Sequence, residues 1–278
     1  MKIKKAVITA AGPDQHHLPL QTLVSPSGEA KTAASLLLDE IFASGIDSAA
    51  IIIAPGTERD FSAAISDHLG QVTFIEQSQP LGYGHAVLLA KDFTGDDPFL
   101  LMMSDHLYLS LSEKSCLSQL LEVARQAKCP VSAVQPTHES MLPYYGVVGG
   151  TRINNRQGLY NITNVLEKPT PTLAEQELIV PGLRAGHYLC FFGMHVLNQA
   201  VMDDLASAFA KSSDKLPLTP SLNATARSEN FLACEIQGLR FNIGEPYGLL
   251  RAQLGMALAS ESRDEVMASL IELIALTR

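Results

Sequence analysis

Residues 74–106 read FIEQSQPLGYGHAVLLAKDFTGDDPFLLMMSDH, two strand-like runs separated by a glycine-bearing turn and a helix. The run VTFIEQ that leads into it is β-branched and aromatic, with turn formers after it, and predicts a strand. Gln77 to Ala86 then forms a tight turn that passes into a helix near Tyr83 to Lys91. Asp97-Pro98 punctuates, and Phe99 to Met103 is a short apolar run of the buried-strand type, ending at Ser104-Asp105-His106. In an open α/β sheet, ligands bind beyond the carboxyl ends of the strands. Gln77, Gly82, Gly84 and Asp105 are all expected on that edge.

Upstream, Lys5 to Ala11 predicts a first buried strand, followed by a polar loop of roughly 20 residues, a length usually kept for function. Lys31 to Ser44 predicts a helix with Ala34, Leu37, Leu38 and Ile41 on one face, stopped by Gly45. Ala49 to Ala54 reads as a second strand, and Thr57 as the cap of a helix to about Leu69. Downstream, Ser112 is expected to cap a helix through Ala127, and Pro130 to Val134 makes another strand. This alternation predicts an α/β fold, a mostly parallel Rossmann-like mixed sheet flanked by helices.

Beyond about residue 140 the rhythm changes to a β-rich insertion. Tyr145 to Thr151 and Gly158 to Glu167 read as a hairpin, Ala185 to Gly193 as a strand, and Val196 to Ala210 as a helix. Pro217 to Arg227 reads as a short helix. Phe231 to Ile236 and Arg240 to Ile243 predict a second hairpin turning at Gln237-Gly238. Helices over Pro246 to Leu258 and Arg263 to Leu276 close the chain. The divisions expected are therefore 1–140, 141–245 and 246–278 within one domain. The last helix has Val266, Leu270, Ile271, Leu273 and Ile274 on a broad face suited to the core or to a subunit contact, and a homo-oligomer is expected.

Composition bounds the function. A chain of 278 residues, 46% apolar and 18% charged, buries a large core and is not a disordered segment. The net charge of −9 with no basic stripe argues against a nucleic-acid partner. Cys116, Cys129, Cys190 and Cys234 form no CxxC pair and read as reduced core thiols. The cationic, apolar start is cut short at Gly12-Pro13-Asp14, so neither a signal peptide nor a membrane span is read, and a cytoplasmic protein is expected.

Several segments together resemble the sugar-phosphate nucleotidylyltransferases, and within them the bacterial UTP–glucose-1-phosphate uridylyltransferases. KKAVITAAG at 4–12 is similar to that family's first strand and the start of its nucleotide loop, and QSQPLGYGHAV at 77–87 to its uracil-side loop. SDH at 104–106 sits where the family has its metal-binding aspartate. YYGVV at 144–148, LEKP at 166–169 and AGHYLC at 185–190 resemble its sugar-binding segments, and FNIGEPYGLLRA at 241–252 its closing motif.

The resemblance implies a nucleotide-diphospho-sugar transferase fold. It implies transfer of a uridylyl group from UTP to a hexose 1-phosphate, with magnesium as cofactor and pyrophosphate released. Asp105 would hold magnesium, helped by Asn242, because magnesium needs few protein ligands and borrows phosphate oxygens. Ala10, Ala11, Gly12, Gln77, Gly82 and His85 would form the nucleotide side. Gly146, Glu167 and Lys168 would form the sugar side, with Lys168 a point charge for the sugar phosphate and Pro169 holding the backbone extended. The Gln77 amide can read a pyrimidine edge, and His85 orders its loop.

The match breaks at the phosphate grip. The family's G-x-G-T-R loop is here Gly12-Pro13-Asp14-Gln15-His16, and no cation follows before Lys31. The family's second metal carboxylate is Asn242, and Pro220 replaces the aspartate of its L-T-D motif. Two readings follow. One is an active uridylyltransferase; the other is a catalytically impaired homologue that binds a nucleotide sugar as a sensor or regulatory subunit.

Overall fold

The computed structural model of the chain describes residues 1–12, 16–211 and 214–277. In chain order the first elements are β1 (Lys5–Thr9), the short pair β2 (Thr22–Val24) and β3 (Ala30–Thr32), α1 (Ala33–Ala43), β4 (Ser48–Ile53), α2 (Glu58–Ala64) and β5 (Val72–Glu76). There follow α3 (Tyr83–Leu89), α4 (Lys91–Thr94), β6 (Phe99–Met103), β7 (His106–Ser110), α5 (Cys116–Ala127), β8 (Val131–His138), β9 (Gly146–Arg152) and β10 (Leu159–Glu167). The remainder is α6 (Pro171–Glu177), β11 (His187–Leu197), α7 (Gln199–Lys211), α8 (Thr219–Ser228), β12 (Leu232–Glu235), β13 (Gly238–Asn242), α9 (Gly248–Leu258) and α10 (Arg263–Leu276).

A nine-stranded sheet in the order β5-β4-β1-β6-β11-β8-β12-β10-β9 forms the spine. β5, β4, β1 and β6 are mutually parallel, whereas β11 runs antiparallel to both β6 and β8. β9 also pairs back onto β11 at Leu189 and Cys190, so pairings run in a closed circuit through β11, β8, β12, β10 and β9. The strands alternate their side chains between two cores. Ala6, Ile8, Ile51, Ile53, Leu100 and Met102 pack with Leu37 and Leu38 of α1 and Leu120 and Leu121 of α5. Val7, Ile52, Phe99 and Leu101 pack with Val87 of α3, Val201 and Leu205 of α7 and Leu222 of α8. A strand buried on both faces reads as a continuous apolar run, which is why β4 and β6 stand out in the sequence.

The structure corrects several local readings. The predicted second hairpin does not exist. β12 lies parallel to β8, while β13 pairs with β7, a strand not foreseen. The long polar loop contains a 3-10 turn at Leu18–Leu20 and the antiparallel pair β2–β3. Helix α5 is capped by Ser115, whose side chain accepts from Ser118 N, rather than by Ser112. Thr57 makes no side-chain cap, because its hydroxyl donates to Ala54 O. Val196, expected in a helix, belongs to β11. All four cysteines are free and buried, as the sequence implied.

The carboxyl ends of the parallel strands are tied together by backbone bonds. Ala10 N donates to Ile52 O at 2.8 Å, Gln77 N to Ile53 O at 2.9 Å and Ser104 N to Thr9 O at 3.3 Å. The segments after β1, β5 and β6 thus share one edge. No helix among the described residues is long and apolar enough to cross a membrane. Leu101, fully buried in β6, tests this packing. Leu101→Ala should lower the unfolding free energy by about 2–5 kcal/mol in urea titrations, and a loss under about 1 kcal/mol would contradict its place in the core.

Candidate functional site

Two cavities open at the carboxyl edge. The first, of about 370 Å³, is lined by Thr9, Ala10, Ala11 and Gly12 after β1, by Gln77, Pro80 and Gly82 before α3, and by Lys215. The second, of about 320 Å³, is lined by Tyr145, Gly146, Glu167 and Lys168, by Phe191 and His195 of β11, and by Arg240 and Asn242 of β13. Tyr83, Met103 and Asp105 line both. Of the residues expected on the nucleotide side, Ala10, Ala11, Gly12, Gln77 and Gly82 fall in one cavity, and Gly146, Glu167 and Lys168 of the sugar side fall in the next, with Asp105 between them.

The loop before α3 is held by its own groups. Gln77 Nε2 donates to Gly82 O at 3.2 Å and lies 2.9 Å from His85 Nδ1. Burial lowers the His85 pKa, so the ring is neutral and Nδ1 accepts. His85 lines neither cavity. It stands behind Gln77 against the Phe209 ring, 5.2 Å away. The amide nitrogen of Gln77 is thus committed to the loop, which leaves its oxygen for a ligand. Gly82 takes φ +103°, and a Cβ on Gly84 would meet Pro217 O at 2.7 Å. The close approach these glycines permit is made to the protein's own backbone: Leu216 N donates to Leu81 O at 2.6 Å, and His85 N to Leu216 O at 3.3 Å.

Asp105 is 5% exposed, and its Oδ1 lies 2.6 Å from His106 Nδ1. Ile243 N donates to Asp105 O, and His106 pairs with Asn242 across β7 and β13, so residues 105 and 242 are neighbours. Asn242 Oδ1 accepts from Gly244 N at 2.9 Å, which uses one of its lone pairs. Among the described residues no group of three or more His, Cys, Asp or Glu is gathered for a metal. A hard cation that keeps its waters still fits this donor set of one carboxylate and one amide oxygen.

Tyr83 carries one of two buried side-chain atoms without a hydrogen-bond partner among the described residues. Burial first, then the charges of Asp105 and Glu167, push its pKa up.

The second cavity has two cations. Lys168 takes φ +46°, left-handed rather than extended as Pro169 was expected to hold it, and its N donates to Tyr145 O at 3.0 Å. Such a backbone is strained for lysine, more so before proline. Arg240 was not foreseen. Its guanidinium carbon lies 3.9 Å from the Tyr145 ring centroid, and it donates to Phe191 O. Gly146 has no room for a side chain, since a Cβ would meet Phe191 Cδ2 at 2.7 Å and Glu167 Oε2 at 3.0 Å. Glu167 accepts from Thr219 Oγ1 at 2.8 Å, beside Pro220 in the first turn of α8.

Other expectations are redirected. Residues 185–190 line neither cavity, and Phe191, Gly193 and His195 do so in their place. Lys31, which alone followed the altered loop, is paired with Asp39 at 2.8 Å and with Glu29 at 3.5 Å, outside both cavities. Pro13, Asp14 and Gln15 lie outside the described residues. His16 is described and lines neither cavity. The cation at the first cavity is Lys215, 200 positions from that loop, which no local pattern could indicate.

Comparison with known proteins agrees with this architecture. The family model described as nucleotidyl transferase matches residues 21–252. The UTP–glucose-1-phosphate uridylyltransferase YngB of Bacillus subtilis is 28% identical, over 98% of this chain and 96% of that protein. A UDP-glucose pyrophosphorylase from Acinetobacter baumannii superposes with a TM-score of 0.75 at 21% identity, covering 98% of this chain and all of that one. A UDP-glucose pyrophosphorylase complexed with UDP-glucose gives 0.73 at 20% identity, covering 91% and 97%. These two structures share the fold.

His195 offers a test of the second cavity. Burial lowers its pKa from 6.5 to about 4, so the folded protein resists a proton that the unfolded chain takes up. Its full stability is present above pH 6.5 and declines as pH falls toward 4, by on the order of 3 kcal/mol. Urea titrations between pH 7 and 4.5 should show a shallower decline in His195→Gln than in the wild type. Equal declines would contradict the buried neutral ring.

Proposed function

Since the chain belongs to the nucleotidyl transferase family, we propose that it transfers a uridylyl group from UTP to a hexose 1-phosphate, first among them glucose 1-phosphate. The observation that carries this reading is the pair of adjoining cavities sharing Tyr83, Met103 and Asp105. A nucleotide in one and a sugar phosphate in the other would meet at Asp105. The uridylyltransferase name of the relative similar along nearly the whole chain supports the choice of substrates.

In the reaction an oxygen of the sugar phosphate attacks the α-phosphorus of UTP, and the bond to the leaving pyrophosphate breaks. No proton has to be removed from the nucleophile, so alignment and charge carry the catalysis. Ala10, Ala11, Gly12, Gln77 and Gly82 hold the nucleoside, with His85 bracing Gln77. Gly146 and Glu167 hold the sugar ring, while Lys168 and Arg240 draw in its phosphate. Lys215 supplies the charge on the triphosphate side that the loop after β1 lacks. Magnesium, held by Asp105 with Asn242, would supply positive charge against the phosphate oxygens. On this reading 1–140 is the nucleotide half, 141–245 the sugar half and 246–278 a helical tail whose exposed Ile271 and Ile274 suit a second copy. The cytoplasm, where nucleoside triphosphates and sugar phosphates occur together, is the fitting compartment.

One observation favours the impaired homologue instead. Asn242 brings no charge, and its oxygen is already engaged by Gly244 N. One assay decides between them. Purified protein with magnesium, UTP and glucose 1-phosphate should release pyrophosphate, and binding of UDP-glucose without release would select the impaired form. Asp105→Ala should cut turnover by at least about a hundredfold. Unchanged turnover would remove Asp105 from the site.

A further inference from the structure

We propose that His195 selects the sugar, donating a hydrogen bond from Nε2–H to one hydroxyl oxygen of the hexose in the second cavity. The proposal deepens the uridylyltransferase reading and rests on it. It stands on where the two imidazole nitrogens point.

Nδ1 of His195 lies 2.7 Å from Ser132 Oγ, and both residues are buried, at 4% and 0% exposed. The Ser132 hydroxyl has no other bond among the described residues, so its proton is satisfied only by donation to Nδ1. That fixes the tautomer with the ring proton on Nε2. Nε2 itself makes no hydrogen bond among the described residues. It is also absent from the two partnerless atoms that are shut off from solvent, Tyr83 Oη and Asn198 Oδ1. It therefore reaches open volume, and the cavity His195 lines is the second one.

The backbone is shaped to aim it there. Register between β11 and β8 slips between Phe191 and His195, with Gly193 at φ +91° inside the irregularity. A bulge of this kind redirects side chains at functional sites. The Phe191 ring meets the imidazole edge-on with centroids 4.8 Å apart, which fixes its tilt. Around it the cavity offers Glu167 as an acceptor and Lys168 and Arg240 as charged donors. The cations suit the sugar's phosphate, and the carboxylate suits its O–H groups. His195 is then a neutral donor beside these charged groups, suited to an uncharged hydroxyl oxygen.

The test is calorimetric binding of UDP-glucose and of its four singly deoxygenated analogues, at the 2, 3, 4 and 6 positions. The wild type should bind one analogue about tenfold more weakly than UDP-glucose on account of this bond. His195→Phe should lose that one penalty and leave the remaining preferences in place. His195→Gln, which keeps a donor near the same point, should retain most of it. If His195→Phe keeps the wild-type pattern over all four analogues, or His195→Gln behaves as Phe does, the assignment is overturned. If the wild type binds no UDP-sugar at all, the uridylyltransferase reading itself falls and this assignment with it.

Discussion

The bonding of residues 81–85 to residues 216–217 is the contact on which the site's layout depends. Two backbone bonds and a glycine without room for Cβ press the loop before α3 onto a segment far along the chain. That segment carries Lys215 into the first cavity, and Leu218 and Thr219 into the second. Thr219 then bonds Glu167 beside Lys168. One short backbone seam therefore sets the spacing between the loop that faces one ligand and the strand end that faces the other.

Charge is placed sparingly around that seam. The chain is acidic overall, yet three cations, Lys168, Lys215 and Arg240, line the two cavities. Arg240 is held over the Tyr145 ring and tethered to a carbonyl, so little of its freedom is left to lose on binding. Lys215 is exposed and makes no ion pair among the described residues, so more of its rotamer freedom is left to lose on binding. The two cavities thus differ in preorganisation as well as in residues.

Much of this was legible in the order of the residues. β1, β4 and β6 are buried on both faces, so their apolar runs announce them, and turn chemistry places Gln77, Gly82 and Asp105 at strand ends. Strand partners are another matter. The stretches around Phe231 and Arg240 have the pattern of a hairpin, but β12 finds β8 and β13 finds β7. Nothing local distinguishes these outcomes, because the choice is made by packing against distant strands. Arg240 and Lys215 escaped notice for the same cause: each reaches its cavity through long-range pairing. His195 was hidden by a bulge that alternation alone does not reveal.

The left-handed turn at Lys168 carries a lesson for anyone engineering a sturdier version of this protein. Glycine there would relax the backbone ahead of Pro169, and a search for thermal robustness would be drawn to that swap. The gain would come with the loss of a lysine side chain that lines the second cavity. At this bend comfort and purpose pull in opposite directions.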